Sequence, residues 1–398
     1  MRELNMKKIR LGDYCEISAG GDKPINFSES KTNELNIPVI ANSSDNKGIV
    51  GYTDEAKITQ KSVTITARGS CGFPHYRTTP YVPIIRLISV IPNDENILDT
   101  QYLYYLLKLK PFRGIGSVQS QITVPQLEDY QVDIVDDINI QREIAKCLGS
   151  IDRKIEINNK INTVLETTMR TIYDYWFLQF EFPNDKGKPY KSSGGKMVYN
   201  EKLKREIPEG WTAIKLVNIL EKVNRDFNYE EDVKTYDLSN MPTNSIAIVE
   251  TSSSNNFETN LFSVKTGDLL FGSIRPYLKK AGLASYDGAV AGTIHCYEVK
   301  NKIDYNLALF TISSENFFKF AINNSKGTKM PVVASNDLLE FIVPYNEEIV
   351  EKFNSISISD KIIANVRQTN ELADLRNFLM PLLFNGQVSF KKDIKYEK

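Results

Sequence analysis

The most constraining feature of this chain is an internal repeat that covers nearly its whole length. A pattern of short apolar runs, Gly-containing turns and a heptad helix ends near Trp176 and recurs, shifted by about 205 to 208 positions, to end near Phe384. Residues 8–11 correspond to 213–216, and 119–124 to 327–332, which pairs Ile122 with Met330. Because a solenoid unit has only about 20 to 50 residues, the repeat predicts a duplicated domain followed each time by a long helix.

The composition is that of an ordinary globular protein. Of its 398 residues, 41% are hydrophobic and 25% are charged, and this length allows two to three domains. No apolar run approaches the roughly 18 residues of a membrane helix, and the N-terminus has no apolar stretch of signal-peptide length. These observations predict a cytoplasmic protein without a membrane partner.

Several kinds of catalytic site lack the residues they need. The only histidines are His75 and His295, one in each half, and the four cysteines are far apart without C-x-x-C spacing. Gly194-Gly195-Lys196 is followed by Met197, so the phosphate-binding P-loop signature is absent. The sequence therefore predicts a noncatalytic chain that holds no metal ion or cofactor of its own. A nuclease built on acidic pairs remains a weak alternative.

Changes of periodicity divide the chain into five segments. Short β-type runs and turn signals in residues 1–140 predict a mixed domain, and residues 141–182 predict a long helix. Residues 183–206 are rich in Lys, Gly, Ser and Pro and indicate a linker or a strand-poor connection. Residues 207–346 repeat the mixed domain, and residues 347–386 repeat the helix. The predicted class is α+β, with two mixed α/β domains, two long antiparallel coiled-coil helices and a pseudo-twofold repeat.

The first helix has a regular heptad seam. Residues separated alternately by four and three positions form it, namely Ile144, Leu148, Ile151, Ile155, Asn158, Asn162, Leu165, Met169, Ile172 and Trp176. Because the linker is short, the second helix should run back along the first. We then expect Asn162 and its repeat equivalent Asn370 to lie close together near the middle of the pair.

The strongest local signals are basic, Gly-containing turns beside β-type runs in both halves. Arg and Lys can bind guanine edges and phosphates, and Gln can bind adenine. Because the net charge is only −1, binding of nucleic acid would depend on such local surfaces. The candidate DNA-binding residues are Arg68, Ser70, His75, Arg77, Arg113, Gln119, Gln121, Arg275, Lys279, Lys280, Lys326 and Lys329.

In this order, the short motifs resemble the specificity subunit of type I restriction-modification systems over essentially the whole chain. The resemblance rests on residues 9–17, 67–70, 141–145, 150–155, 175–177, 187–195, 207–211, 267–271 and 274–276. The second helix departs from the pattern because its seam is shifted around Asn370. The domains are the variable part of this family, so the resemblance transfers no base-contacting residue.

The resemblance implies a noncatalytic subunit with two target recognition domains, each of which reads one half of a split sequence in double-stranded DNA. Two helical spacers would set the gap and dock two adenine methyltransferase subunits, and two restriction and translocation subunits would complete the complex. S-adenosylmethionine, ATP and magnesium would then be needed only by those partners. The alternative from the residues themselves is a two-headed adaptor that binds proteins and uses the coiled coil as a spacer.

Overall fold

The computed structural model describes residues 5–43, 45–68, 71–112, 121–258, 260–356 and 358–388. The chain divides into two compact units. Unit 1 contains residues 1–153 and 373–398, and unit 2 contains residues 154–372. Both divisions fall inside the segments that the sequence predicts as spacer helices, so each spacer contributes to both units.

Unit 1 is built from nine strand segments and short helices among its described residues. The strands are β1 (Met6–Arg10), β2 (Cys15–Ala19), β3 (Ile37–Ile40), β4 (Ile49–Thr53), β5 (Ser62–Ile65), β6 (Pro74–Arg77), β7 (Val82–Pro83), β8 (Ile88–Pro92) and β9 (Gln131–Val135). The helices are α1 (Leu11–Tyr14), α2 (Thr100–Leu109), α3 (Val124–Glu128) and the start of α4 (Ile138–Tyr173). A four-stranded sheet has the order β2-β8-β5-β6, a second sheet has the order β4-β3-β7, and β1 pairs with β9.

Unit 2 repeats this plan with additional strands. Its strands are β10 (Met197–Asn200), β11 (Arg205–Pro208), β12 (Thr212–Lys215), β13 (Leu220–Lys222), β14 (Lys234–Tyr236), β15 (Ser252–Ser253), β16 (Leu261–Val264), β17 (Leu269–Gly272), β18 (Ala281–Leu283), β19 (Gly288–Ala291), β20 (Ile294–Val299) and β21 (Ile342–Tyr345). The helices after β20 are α5 (Tyr305–Ile312), α6 (Glu315–Asn324), α7 (Ser335–Leu339), α8 (Glu347–Asn354) and α9 (Ser359–Phe384).

Strand order confirms the predicted repeat. The four-stranded sheet of unit 2 has the order β13-β20-β17-β18, which matches β2-β8-β5-β6 strand for strand. The antiparallel pair β12–β21 likewise matches β1–β9. The α+β class with a duplicated mixed domain and long helices is therefore correct.

In unit 1, α2 carries much of the core because one of its faces is apolar and aromatic. Asp99 caps the helix by accepting a hydrogen bond from the Tyr102 backbone N–H at 2.8 Å. Tyr102 is fully buried and stacks on Phe384 of α9, with ring centroids 4.9 Å apart. Gln141 at the start of α4 is also buried, and its side-chain nitrogen donates to the carbonyls of Ile97 and Val135.

The segment predicted as a linker contains ordered structure in unit 2. Residues 197–208 form the antiparallel hairpin β10–β11, so the expectation of a strand-poor connection was wrong for this part. Trp211 stacks with Phe182 at 5.1 Å and meets Phe180 at 5.5 Å, while the Arg205 guanidinium lies 4.5 Å from the centre of the Phe180 ring. This aromatic packing holds the polar segment against the core. The Lys, Gly and Ser content of the segment did not indicate this packing.

The two spacers differ in continuity. Helix α4 begins three residues before the predicted start, and its seam residues are buried or half-buried along its length. The second spacer, predicted as one helix over 347–386, is instead divided into α8 and α9. At this interruption the buried side chain of Asn306 donates to the carbonyls of Phe353 and Ile356. A similar break at Ser313 and Ser314 separates α5 from α6, because Ser314 caps α6.

Within unit 2 the helices α4 and α9 are antiparallel and share a polar layer. Asn158 donates to Gln368 at 2.9 Å, and Asn162 accepts from Asn365 at 2.9 Å. Asn370 instead donates to the Val249 carbonyl and the Tyr286 hydroxyl, each at 3.1 Å. The predicted pairing of Asn162 with Asn370 is therefore wrong, since the register places Asn365 opposite Asn162.

Candidate nucleic-acid interface

The candidate site of unit 1 is the turn that joins β5 to β6. Asn42, which follows β3, holds the start of this turn. Its side-chain oxygen accepts from the Ala67 backbone N–H at 2.5 Å, and its nitrogen donates to the Arg68 carbonyl at 2.7 Å. At the other end of the turn Gly72 has φ +81°, and a Cβ there would lie 2.2 Å from the Phe112 carbonyl oxygen. The described residues at the two ends of the turn, Ala67–Arg68 and Gly72, are therefore fixed by contacts from distant parts of unit 1.

The side chain of Arg68 is exposed and is oriented by an amide. Gln121 accepts from Arg68 Nε at 3.2 Å and from Nη2 at 2.8 Å. The next residue, Ile122, is buried and donates its backbone N–H to the Ala67 carbonyl at 3.0 Å. Two candidate residues that are 53 positions apart in sequence are thus brought together as an aligned pair.

The remaining candidates of unit 1 have different surroundings. Arg77 is only 7% exposed, and it donates to the Thr64 hydroxyl and, at 2.7 Å, to the Lys47 carbonyl. His75 is half-buried, and its Nε2 has no hydrogen-bond partner among the described residues. Burial, together with the charges of Arg77 and Lys47, lowers the pKa of His75 to about 4. Both side chains therefore lie beneath the surface, and Arg77 ties the 45–48 segment to β6. Ser70, Arg113 and Gln119 lie outside the described residues.

The candidate site of unit 2 is the equivalent turn between β17 and β18. Arg275 is exposed with φ +51°, and its backbone N–H donates to the Pro331 carbonyl at 2.7 Å. Beside it Ile274 forms a β-bridge with Val332, which also bridges Lys326 through hydrogen bonds of 2.8 and 2.9 Å. The two basic segments predicted from sequence, 272–280 and 325–329, therefore lie side by side.

The four lysines of unit 2 fall into two groups. Lys326 and Lys329 are exposed on the 325–332 segment. Lys279 forms an ion pair with Glu315 at 2.7 Å, and Lys280 donates to the Leu238 carbonyl. Arg275, Lys326 and Lys329 consequently form the more available cationic group, while Lys279 and Lys280 have intramolecular partners.

The structure corrects one detail of the repeat alignment. Ile122 is 1% exposed and precedes α3, whereas its predicted counterpart Met330 is 54% exposed. Val333 is fully buried and precedes α7, and it donates to the Ser273 carbonyl as Ile122 does to Ala67. Val333 is therefore the counterpart of Ile122, three positions after the predicted Met330. Arg68 and Arg275 keep equivalent places after β5 and β17.

Sequence reasoning missed Asn42 and the exposed apolar side chains around Arg275. Asn42 carried a weak signal, because an amide directly after an apolar run often bonds backbone groups of a turn. The apolar set consists of Tyr277, Leu278, Met330 and Val332, with exposed fractions of 50%, 36%, 54% and 43%. Its clustering depends on the contact between two segments about 50 residues apart, which no local pattern reveals.

Neither a metal-binding cluster nor a membrane-spanning helix occurs among the described residues. No group of three or more His, Cys, Asp or Glu side chains there is arranged to hold a metal ion. None of the helices within these residues combines the length and apolar character needed to cross a bilayer.

Comparison with known proteins places the chain in a family. Residues 3–167 match the type I restriction modification DNA specificity domain. A putative type I specificity subunit of Mycoplasma pneumoniae is 32% identical over 146 residues, which are 36% of this chain and 43% of that protein. The C-terminal part of another such subunit from the same organism is 34% identical over 100 residues, which are 25% of this chain and 67% of that protein. The chain thus spans less than half the length of the first of these relatives.

Two further matches extend over most of the chain. The MjaIX type I restriction enzyme specificity subunit of Methanocaldococcus jannaschii is 24% identical over 82% of this chain and 77% of its own length. The fold resembles the crystal structure of the S subunit of a type I restriction-modification system from M. genitalium, with a TM-score of 0.60, 15% identity and 98% coverage of both chains. Together with the matched domain, these similarities show that the chain belongs to the family of type I restriction-modification specificity subunits.

Proposed function

We propose that this protein is the noncatalytic DNA-recognition subunit of a type I restriction-modification complex and that each compact unit reads one half of a bipartite duplex target. The observation that carries the proposal is the equivalent placement of Arg68 and Arg275. Each arginine is exposed and follows the equivalent strand of a four-stranded sheet, and each turn is bonded to the segment before α3 or α7. A basic turn that occurs once in each unit suits a DNA target that has two half-sites.

The chemistry of these turns favours the major groove of DNA. An arginine whose guanidinium is already oriented, as Gln121 orients Arg68, can donate two hydrogen bonds to guanine O6 and N7. Exposed lysines such as Lys326 and Lys329 neutralise phosphates and position the protein without reading sequence. In this proposal Gln121 belongs to the DNA-binding surface of unit 1, and Ser70, Arg113 and Gln119 stay predicted DNA contacts. Arg77 and His75 support the turn from below, and Lys279 and Lys280 support the turn of unit 2.

The long helices would provide the docking surfaces for partner subunits. On α4 the residues Ile157, Ile161 and Val164 are 45%, 41% and 56% exposed and recur at helical spacing. Such an exposed apolar stripe on a helix indicates an interaction surface. We assign this kind of surface to two adenine methyltransferase subunits, with two restriction and translocation subunits joining them. S-adenosylmethionine, ATP and magnesium would act in those subunits, in the cytoplasm.

The proposal is tested by co-expressing the chain with the methyltransferase encoded beside it and mapping methylated adenines in the host genome by single-molecule sequencing. We expect one split motif with a methylated adenine in each half. The double variant Arg68→Ala, Arg275→Ala should lose the motif while the complex still elutes at its full size. The control Lys352→Ala removes an exposed cation of α8 that pairs with Glu348, and it should leave the motif unchanged.

The salt dependence of duplex binding is an independent test of the proposal. A complex that contacts six to ten phosphates should lose roughly 10³- to 10⁵-fold in duplex affinity between 50 and 200 mM salt. A stable, active complex without any methylation motif, and with duplex affinity insensitive to salt, would contradict the proposal. That result would favour a two-headed protein adaptor.

A further inference from the structure

The exposed apolar side chains of the unit 2 turn lie where the proposed function needs polar contacts. Met330 and Tyr277 each expose about half of their surface, 54% and 50%, and Val332 exposes 43%. They lie beside Arg275, because the Arg275 backbone bonds Pro331 and Val332 bridges Ile274. Exposed apolar groups of this size are common singly, but a cluster at a binding turn requires a ligand with apolar surface.

The charge around this cluster identifies the class of ligand. Residues 273–280 and 325–332 contain five cations and no acidic residue. Lys279 pairs with Glu315 of α6 and Lys280 donates to the Leu238 carbonyl, so the cations available to a ligand are Arg275, Lys326 and Lys329. Apolar side chains surrounded by cations complement a polyanion that also presents methyl groups. Duplex DNA meets both conditions in the major groove, because thymine exposes its 5-methyl group there beside the phosphate backbone.

The segment that carries Met330 and Val332 is held in a fixed conformation. Two hydrogen bonds join Lys326 to Val332, and Gly327 allows the intervening turn with φ +108°. Val333, which follows, is fully buried, and its carbonyl accepts from His295 at 2.9 Å. Because the backbone is fixed before binding, an apolar contact made here loses little affinity to ordering of the segment.

We propose that Met330 and Val332 read thymine by contact with its 5-methyl group, so that the half-site bound by unit 2 contains at least one A·T pair recognised through that methyl. This inference rests on the proposed function and adds the base chemistry of one half-site to it. Arg275, Lys326 and Lys329 hold the phosphates and neighbouring bases, and the apolar pair distinguishes thymine from cytosine and uracil. Minor-groove insertion would be insensitive to the methyl group, which points into the major groove.

The test uses the full chain in complex with its methyltransferase and synthetic duplexes carrying the mapped motif. Thymines are replaced by deoxyuridine in one half-site at a time, which removes only the 5-methyl groups. We expect affinity to fall about fourfold for each contacted methyl, as for one buried methylene-sized group. The loss should occur for the half-site whose specificity depends on Arg275.

The variant Met330→Ala, Val332→Ala should bind thymine and deoxyuridine duplexes equally. The control Val198→Ala shortens a 37% exposed valine of β10 outside the turn, and it should keep the discrimination of the unmodified protein. Equal binding of both duplexes by the unmodified protein would overturn the inference. That result leaves motif recognition intact, whereas failure of the proposed function removes the motif itself.

Discussion

At the scale of single residues, exposure separates side chains that can meet a ligand from those that hold the turn. Arg68 and Arg275 are exposed on their turns, but Arg77 is 7% exposed and donates to Thr64 and to the Lys47 carbonyl. Burial lowers the pKa of Arg77 to about 10, which still leaves it charged at neutral pH. Residue type therefore nominated four arginines, and packing assigns the three described ones, Arg68, Arg77 and Arg275, to two different roles.

His75 gives a prediction for stability against pH. Its pKa of about 4 in the folded protein lies below the unfolded value near 6.5, so the unfolded chain binds the proton first. The contribution of the neutral imidazole is thus complete above pH 6.5 and decreases as pH falls toward 4. After halving for partial solvent access, we expect a loss of about 1 kcal/mol in unfolding free energy between pH 7 and 5. Denaturant unfolding at both pH values measures it.

The variant His75→Gln should show a smaller pH dependence in the same measurement. The other histidine, His295, is also half-buried with a lowered pKa, but it contributes equally to both proteins. Identical slopes for the variant and the unmodified chain would show that His75 does not titrate in this way.

At the scale of elements, the polar layer between α4 and α9 decides which residues face each other. Asn158, Asn162 and Thr369 are at most 3% exposed, and each has a side-chain atom without a partner among the described residues. Buried amides of this kind stabilise a helix pair less than leucine would, but they favour one register. Glu166 fixes α4 against residues 245 and 246, since its carboxylate accepts hydrogen bonds from Arg170, Ser245 and the Ile246 backbone.

The pair Asn162 and Asn365 can be tested by a double-mutant cycle. Asn162→Leu alone leaves the half-buried Asn365 amide without its partner, so we expect a loss of about 1–3 kcal/mol in unfolding free energy. The double variant Asn162→Leu, Asn365→Leu removes both polar groups and should recover to within about 1 kcal/mol of the unmodified protein. Urea unfolding measures both, with Glu371→Ala on the exposed face of α9 as a control. Additive losses would mean that the two amides do not interact.

At the scale of the whole molecule, duplication supplies two equivalent turns whose side chains differ. The turn of unit 1 combines Arg68 with the amides of Asn42 and Gln121, and that of unit 2 combines Arg275 with Met330 and Val332. Two binding sites with one backbone plan and different surfaces suit a target whose halves differ in sequence.

Single variants should therefore affect different halves of the target. We expect Arg68→Ala to weaken binding by about 1–3 kcal/mol and to relax specificity in one half of the motif, and Arg275→Ala to do the same in the other half. Binding assays with duplexes that carry substitutions in either half would measure this. Relaxation of the same half by both variants would refute one recognition site in each unit.

The internal repeat, the α+β class and the heptad seam of α4 could be predicted from the sequence because they depend on local periodicity. The heptad spacing of α4 and the order of apolar runs follow from which side chains must be buried, and the structure confirms both. The partner of Asn162, the counterpart of Ile122 and the break between α8 and α9 were not readable. Each depends on a contact between distant segments, where a shift of a few residues leaves the local pattern unchanged. The ordering of Arg68 by Asn42 and Gln121 has the same origin, since tertiary packing alone brings these residues together.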